Sequence, residues 1–432
     1  MKSGLLPPPG APICLRSLVL AVSMAGLLIS CAAPPPARPA LPERPAAPSV
    51  AVAFDTAIDY AVDDLLVQAQ RLPEFQPPTK SAVEAGPQRD APPKIKIVVD
   101  VALDSVTGQQ TLATRVLDAR LLGRATARFP QFDVSALAST AISSSGTPNG
   151  RFLLAAVLSP LAQQANSTDA RFRINLSLTD LSTGYVLAQA AVQTTAAGVD
   201  TTPTKFYQDS PSITRDRTVE GQLRTAQAKA GSEADGVYVS SLTVSALISD
   251  GARLYDAGQF EEALRAYESA EARPDGKQLR VLNGLYLCNM QLGRTEIAEQ
   301  AFGRIVALGL GTNSLAFKFL FKPGTTDFLA DSKISSPYPM WLRVLAKEMG
   351  NSKQCVSVVG HSSRTGAESV NDRLSLARAT VIQRRLETTV PTLSARLQSL
   401  GMGYRENLIG TGTDDLRDAL DRRVEFRVRN CS

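Results

Sequence analysis

The order of periodic segments predicts a multidomain α+β protein. Three observations carry this. Strand-like runs alternate with helical stripes across residues 51–243, which reads as a mixed α/β domain. A helical period of 35 residues follows at 244–312, which reads as a short all-α pair. Residues 313–432 then run strand, helix, strand, helix, strand, strand, a β-α-β-α-β-β domain. A chain of 432 residues has room for about two to four domains.

Composition removes several function classes. Hydrophobic residues make up 44% of the chain, an ordinary value for a globular protein. There is one histidine, His361, so paired-histidine metal sites are impossible and a zinc site would need cysteine or carboxylate ligands. Any Ser-His-Asp or Cys-His mechanism would have to use His361. No metal-ligand set, no cofactor and no catalytic residue is read from the sequence. The net charge of +5 is spread, with no dense Lys/Arg tract interleaved with aromatics, so no nucleic-acid partner is expected.

Residues 1–30 carry Lys2 and Arg16, no acidic residue and an apolar run from Leu18 to Ile29, the layout of a secretory signal. The run falls short of the ~20 residues of a comfortable membrane span. It ends in Leu28-Ile29-Ser30-Cys31, which resembles the bacterial lipobox. The resemblance implies cleavage before Cys31, a diacylated thiol and an acylated new amine, with fatty acyl chains such as palmitate. Two or more chains anchor stably where one is marginal. Ala32 in place of Asp implies an outer-membrane lipoprotein facing the periplasm. Cys14 has no apolar run before it and does not compete. Removing residues 1–30 takes away two positive charges and leaves +3. Residues 31–50 are a Pro-rich linker, read as a semi-rigid polyproline II spacer.

In the α/β domain, Ala51 to Leu72 carries Phe54, Ile58, Val62, Leu65 and Leu66 on one helical stripe. Ile95–Val101 reads as a strand, Thr111–Arg128 as a helix, Phe132–Val134 as a short strand and 135–142 as a weak helix. Arg151–Leu158 is a strongly apolar strand. Arg171–Thr179 alternates, with Phe172, Ile174, Leu176 and Leu178 on one side and Arg173, Asn175 and Ser177 on a side expected to meet water. The turn DLSTG leads to a return strand at Tyr185–Thr194. Asp100 and Asp104 read as solvated residues at a strand end rather than a functional pair. The order and the turn resemble periplasmic lipoprotein domains such as penicillin-binding-protein activators and curli or flagellar accessory lipoproteins.

In the helical pair, Gly258, Ala263 and Tyr267 recur as Gly293, Ala298 and Phe302. A small residue lets two helices approach, glycine makes the turn and an aromatic fills the groove. The pattern resembles the tetratricopeptide repeat with one residue inserted near Asp275-Gly276. Two repeats are few for a free solenoid, so they are expected to pack on a neighbouring domain and either bind a protein partner or act as a rigid spacer. Cys288 reads as a buried small hydrophobe.

In the last region, Leu315, Phe317, Phe319 and Phe321 alternate in a strand. Met340–Gly350 reads as helix, Val356–Gly360 as a buried strand, and Ser369–Thr388 as a helix with Val370, Leu374, Ala377 and Val381 toward the core. Asn407–Gly410 and Arg423–Val428 read as strands. The stretch VVGHSSRTGAESVNDRLSLARATVIQRRL and the ending GTG, then ALDRRVEF, resemble the OmpA-like peptidoglycan-binding domain.

That resemblance implies non-covalent binding of peptidoglycan through the diaminopimelate of its stem peptide. An arginine fork takes the ligand carboxylate and a carboxylate takes its ammonium. Arg378 matches the family arginine, Asn371 lies two turns earlier on the same face, and Arg422 matches the first arginine of the closing motif. The family's aspartate is absent: Gly360-His361 is followed by Ser362 and Ser363. Asp327 and Glu368 are the expected surrogates. His361 is expected to position the loop. Cys355 and Cys431 are a disulfide candidate, closing a long loop in an oxidising compartment at a gain of ~2–4 kcal/mol. The leading expectation is a non-enzymatic envelope lipoprotein that tethers or scaffolds partners. The alternatives are a regulator or assembly factor of a cell-wall synthase or envelope machine acting through the α/β domain, and a cell-wall hydrolase.

Overall fold

The computed structural model describes residues 43–76, 94–143, 148–161, 170–409 and 420–431. The chain divides into Met1–Ala40 and Leu41–Ser432. The expected signal segment, Cys14 and the acylation site Cys31 lie outside the described residues. No described helix is long and apolar enough to cross a membrane.

The main unit begins with α1 (Phe54–Arg71) and a mixed sheet built from β1 (Ile95–Val99), β2 (Leu103–Asp104), β3 (Phe132–Ala136), β4 (Phe152–Leu161), β5 (Arg171–Asp180) and β6 (Tyr185–Thr195), with α2 (Leu112–Arg128) between β2 and β3. The strand order is β3-β1-β4-β5-β6, and β2 pairs with β4. β1 runs parallel to β3 and β4, while β4, β5 and β6 are antiparallel neighbours. β4 is apolar throughout because both its faces are covered. Phe152, Leu154, Ala156 and Leu158 join the core under α1 and α2. Leu153, Ala155 and Val157 join a second core on the opposite face.

That second face corrects two expectations. Asn175 and Ser177 are buried rather than solvated, because α4 (Arg217–Gln227) covers this side of β4 and β5, while Arg173 is exposed as expected. Asp100 and Asp104 are also buried. Asp104 accepts from the N–H groups of Val106 (3.1 Å) and Thr107 (2.8 Å) and from the Thr107 hydroxyl (2.9 Å), so it closes the turn before α2. Asp100 accepts from the buried Tyr238 hydroxyl at 2.7 Å. The expected weak helix at 135–142 is the end of β3 followed by one 3-10 turn, Ser139–Ala141. The turn at Asp180 is set by its carboxylate, which accepts from Ser182 N–H (2.9 Å) and hydroxyl (2.7 Å), with Gly184 at φ +78°.

After β6 come the short helices α3 (Lys205–Asp209) and, beyond α4, α5 (Gly236–Ser240). Two antiparallel pairs then follow: α6 (Leu242–Asp256) with α7 (Phe260–Glu271), and α8 (Leu279–Gln291) with α9 (Thr295–Thr312). Gly258 and Gly293 both turn at positive φ, +77° and +72°. Tyr267 occupies the slot between the pairs; a Cβ at Gly284 or Gly251 would lie 2.4 or 2.7 Å from its ring.

The carboxy-terminal elements are β7 (Leu315–Phe317), α10 (Ser332–Ser335), α11 (Tyr338–Asn351), β8 (Cys355–Gly360), α12 (Glu368–Thr389), β9 (Leu397–Gly401) and β10 (Val424–Arg429). The sheet order is β7-β10-β8-β9, with β8 and β9 parallel and the other pairs antiparallel. The third strand in sequence is Leu397–Gly401. The expected strand at Asn407 is instead a loop through Ile409, where Asp421 Oδ1 accepts from the N–H groups of Leu408 (2.6 Å) and Ile409 (3.0 Å). The first strand is also shorter than expected, since Phe319 and Phe321 leave it while staying buried. A disulfide joins Cys355 to Cys431, with Cα atoms 5.2 Å apart.

The helical pairs and this last sheet share one continuous core. Trp341 of α11 stacks on Phe302 of α9 (5.6 Å, 7°) and donates its indole N–H to the Tyr286 hydroxyl of α8 at 2.8 Å. The segment after α3 extends the sheet edge: Ser212 bridges Phe317, and Ile213 N–H donates to Ala316 O at 3.1 Å. Lys318, buried at this seam, donates to the carbonyls of Tyr207 (2.7 Å) and Gln208 (3.0 Å), and burial pulls its ammonium pKa down to about 7.

Candidate functional site

The motif residues gather where β8 ends against α12. Gly360 makes this approach close: a Cβ there would stand 2.0 Å from the Ser375 carbonyl. Asn371 and Arg378 therefore sit about one turn to either side of the crossing. Both are buried, with Ser375, Ala379, Ile382 and Leu386 on the same face of α12. This rotates the helix relative to the expected core stripe. Val370 is half exposed, and Leu374, Ala377 and Val381 are only partly covered. The inward face of the first half of α12 is polar because it packs on loops rather than on the apolar core.

Each inward side chain holds a loop. Asn371 Nδ2 donates to the Thr365 carbonyl at 2.8 Å. Thr365 Oγ1 lies 3.4 Å from Ser363 Oγ, so Asn371, Thr365 and Ser363 form one connected chain. On the other side, Arg378 donates from Nε to the Thr325 carbonyl and from Nη2 to the Lys322 carbonyl, each at 3.1 Å. Its guanidinium also lies over the Phe321 ring, 5.0 Å from the centroid. Arg378 thus fixes the loop after β7. Ser362 is buried, its N–H donating to Gly403 O at 2.9 Å. Arg422 is buried just before β10.

The two expected surrogate carboxylates are exposed, unlike these buried residues. Asp327 is 73% exposed, with Lys322 Nζ 4.0 Å away. Glu368 is exposed at the start of α12 and pairs with Arg405 at 3.3 Å.

A charged cluster beside the site has no counterpart in the sequence reading. His361 Nε2 lies 3.6 Å from Glu425 Oε1 and its Nδ1 4.0 Å from Glu406 Oε2. Arg423 pairs with Glu425 Oε1 at 2.6 Å, and Arg427 bridges Glu425 Oε2 (2.6 Å) and Glu406 Oε2. Burial lowers the His361 pKa against the pull of Glu425 and Glu406. Burial works against the Glu425 carboxylate, yet His361, Arg423 and Arg427 hold it well below the usual glutamate range. The hydrogen bond from Arg427 lowers Glu406 too. The one signal in the sequence is the alternation Val424-Glu425-Phe426-Arg427, which puts two charges on one face of β10.

No family model and no curated protein matches this chain. Among solved structures it is similar to an outer membrane protein from Borrelia burgdorferi B31, at 23% identity over 27% of this chain and 88% of that one, with a TM-score of 0.21. It is similar to the periplasmic domain of Helicobacter pylori MotB (residues 78–256), at 17% identity over 27% and 76%, with a TM-score of 0.22. It is also similar to the cell wall anchor of the T6SS from Pseudomonas aeruginosa, at 24% identity over 26% and 78%, with a TM-score of 0.21.

Proposed function

We propose that this protein is a non-enzymatic outer-membrane lipoprotein, anchored through Cys31, that grips peptidoglycan non-covalently with residues 313–432. The observation that carries the reading is the convergence of the motif residues. Ser362 and Ser363, Asn371, Arg378 and Arg422 come from three separate stretches of the sequence, and all are buried polar groups in the last domain. Burying so many polar groups in one region costs stability unless they are bonded, and in this reading the ligand supplies part of that bonding.

The ligand chemistry in this reading is a diaminopimelate end group. Its carboxylate would meet the guanidinium groups, Arg378 being reached only when the loop after β7 releases it, and its ammonium would meet serine hydroxyls and carbonyl oxygens in place of the missing aspartate. Neutral acceptors make bonds roughly half as strong as charged ones, so the proposed affinity is lower than that of a site with the aspartate. The α/β domain and the helical pairs are proposed to carry a protein partner.

Sacculus pull-down tests this. Arg378→Lys keeps the charge and loses the planar fork, and Arg422→Ala removes the second guanidinium. Each is expected to cut recovery on intact sacculi about 10-fold, on the order of one to two lost charge-assisted bonds, while thermal unfolding stays cooperative. Wild-type recovery by both folded variants would overturn the reading.

A further inference from the structure

We propose that His361, Glu406 and Glu425 form a zinc site in which Arg427 stands in for the cation. One ligand atom from each of the three residues lies within 4.8 Å of the others. The donor set, one imidazole nitrogen and two carboxylate oxygens, suits zinc with a water in the fourth position. The residues come from three elements, the end of β8, the loop after β9, and β10. They are 45 and 64 positions from the histidine in sequence, which is why no spacing announces them.

The independent observation is the histidine itself. His361 is fully buried, and neither ring nitrogen has a partner at normal hydrogen-bond distance, the nearest being Glu425 Oε1, 3.6 Å from Nε2. An imidazole desolvated without a partner loses free energy that a bound cation would return. Its ring edges already face the two carboxylates at 3.6 and 4.0 Å. Two donors held at ~2.0–2.2 Å from one tetrahedral ion stand roughly 3.3–3.6 Å apart, so the ion takes one ring nitrogen and the carboxylate now facing the other nitrogen swings round to it.

Arg427 determines occupancy. Its guanidinium neutralises Glu406 and Glu425 together and so competes with any cation for the same oxygens. Its side chain is 41% exposed and can swing into solvent. Arg423 does not block the site. It holds Glu425 Oε1, leaving Oε2 free once Arg427 departs, and a ligating carboxylate with its other oxygen hydrogen-bonded is the usual support for a metal ligand. The bound ion would pin the loop after His361, which carries Ser362 and Ser363.

The test is zinc chloride titration of the full chain by calorimetry at neutral pH, with circular dichroism as the folding control. Arg427→Gln removes the competitor and is expected to tighten zinc binding by about 10-fold or more. His361→Gln in the same background should abolish that binding. If His361→Gln fails to fold, Glu406→Gln decides, since this carboxylate is on a partly exposed loop. An Arg427→Gln protein that binds zinc no better than wild type overturns the proposal. So does retained tight binding when His361 or Glu406 is replaced, because any thiols are equal in all variants.

Discussion

Asp118 shows how far packing can move a single group. Its carboxylate accepts from Ala102 N–H at 2.9 Å and from Gln110 Nε2 at 3.3 Å. Burial, together with the nearby Asp100, pushes its pKa up to about 8, against the pull of those hydrogen bonds and of Arg115. An unfolded aspartate ionises near ~3.9. Between about pH 4 and 8 the folded chain therefore binds more protons than the unfolded chain, and stability falls as pH rises through that window. Asp118→Asn removes the titration while keeping an acceptor for Ala102. The variant's Tm should change less between pH 5 and pH 9, values either side of that ~4–8 window, than the wild type's does. Parallel curves for the two proteins would refute the assignment. Asp100 is shifted the same way: burial raises its pKa against the Tyr238 hydroxyl and the attraction of the buried Arg280 of α8.

Among the elements, α12 is the one the site depends on, and glycine sets its position. A Cβ at Gly401 would stand 2.6 Å from Leu376 N, and one at Gly360 would stand 2.0 Å from Ser375 O. Neither obstacle is the far end of a flexible side chain, so Gly360→Ala must lift the helix. Overpacking of this kind costs about 1–3 kcal/mol. The variant is expected to unfold at a lower denaturant midpoint with an unchanged slope, and an unchanged midpoint would mean the crossing is looser than described. The same element shows where sequence pattern stops working. β4 is readable because its apolar side chains feed two cores, and β5 because Ile174, Leu176 and Leu178 alternate into one of them. The register of α12 departs from its apolar pattern because Asn371, Ser375 and Arg378 are buried by backbone carbonyls of Thr365, Lys322 and Thr325 and by the glycine edge, and a carbonyl has no sequence signature. β9 escaped notice for a similar reason. Its five residues, LQSLG, are weakly apolar, and they are placed by Arg396, whose guanidinium binds carbonyls of Gly350, Ser352 and Gln354 at the end of α11. The residues named by resemblance around Gly360 are local in sequence, whereas the His361 cluster depends on loops that only the fold brings together.

At the scale of the whole molecule, the last domain is built as half of a larger body. Its α11 face is apolar and is covered by α8 and α9. Phe317 packs on Phe302 (5.1 Å between centroids), and Lys318 is pinned to carbonyls that end α3. A ligand gripped near Gly360 would thus bear on the helical pairs, whose core is continuous with that of the last sheet. The single tryptophan, Trp341, reports on this seam, being 5% exposed under Tyr286 and Phe302. Residues 313–432 expressed alone would uncover that ring and the neighbouring Phe317 and Phe319, an apolar patch that a soluble monomer rarely tolerates. The fragment's tryptophan emission should be red-shifted relative to the full chain, and the fragment should self-associate on gel filtration. A fragment that stays monomeric with the blue emission of the intact protein would show instead that residues 313–432 close their own core, and that the helical pairs merely rest against it.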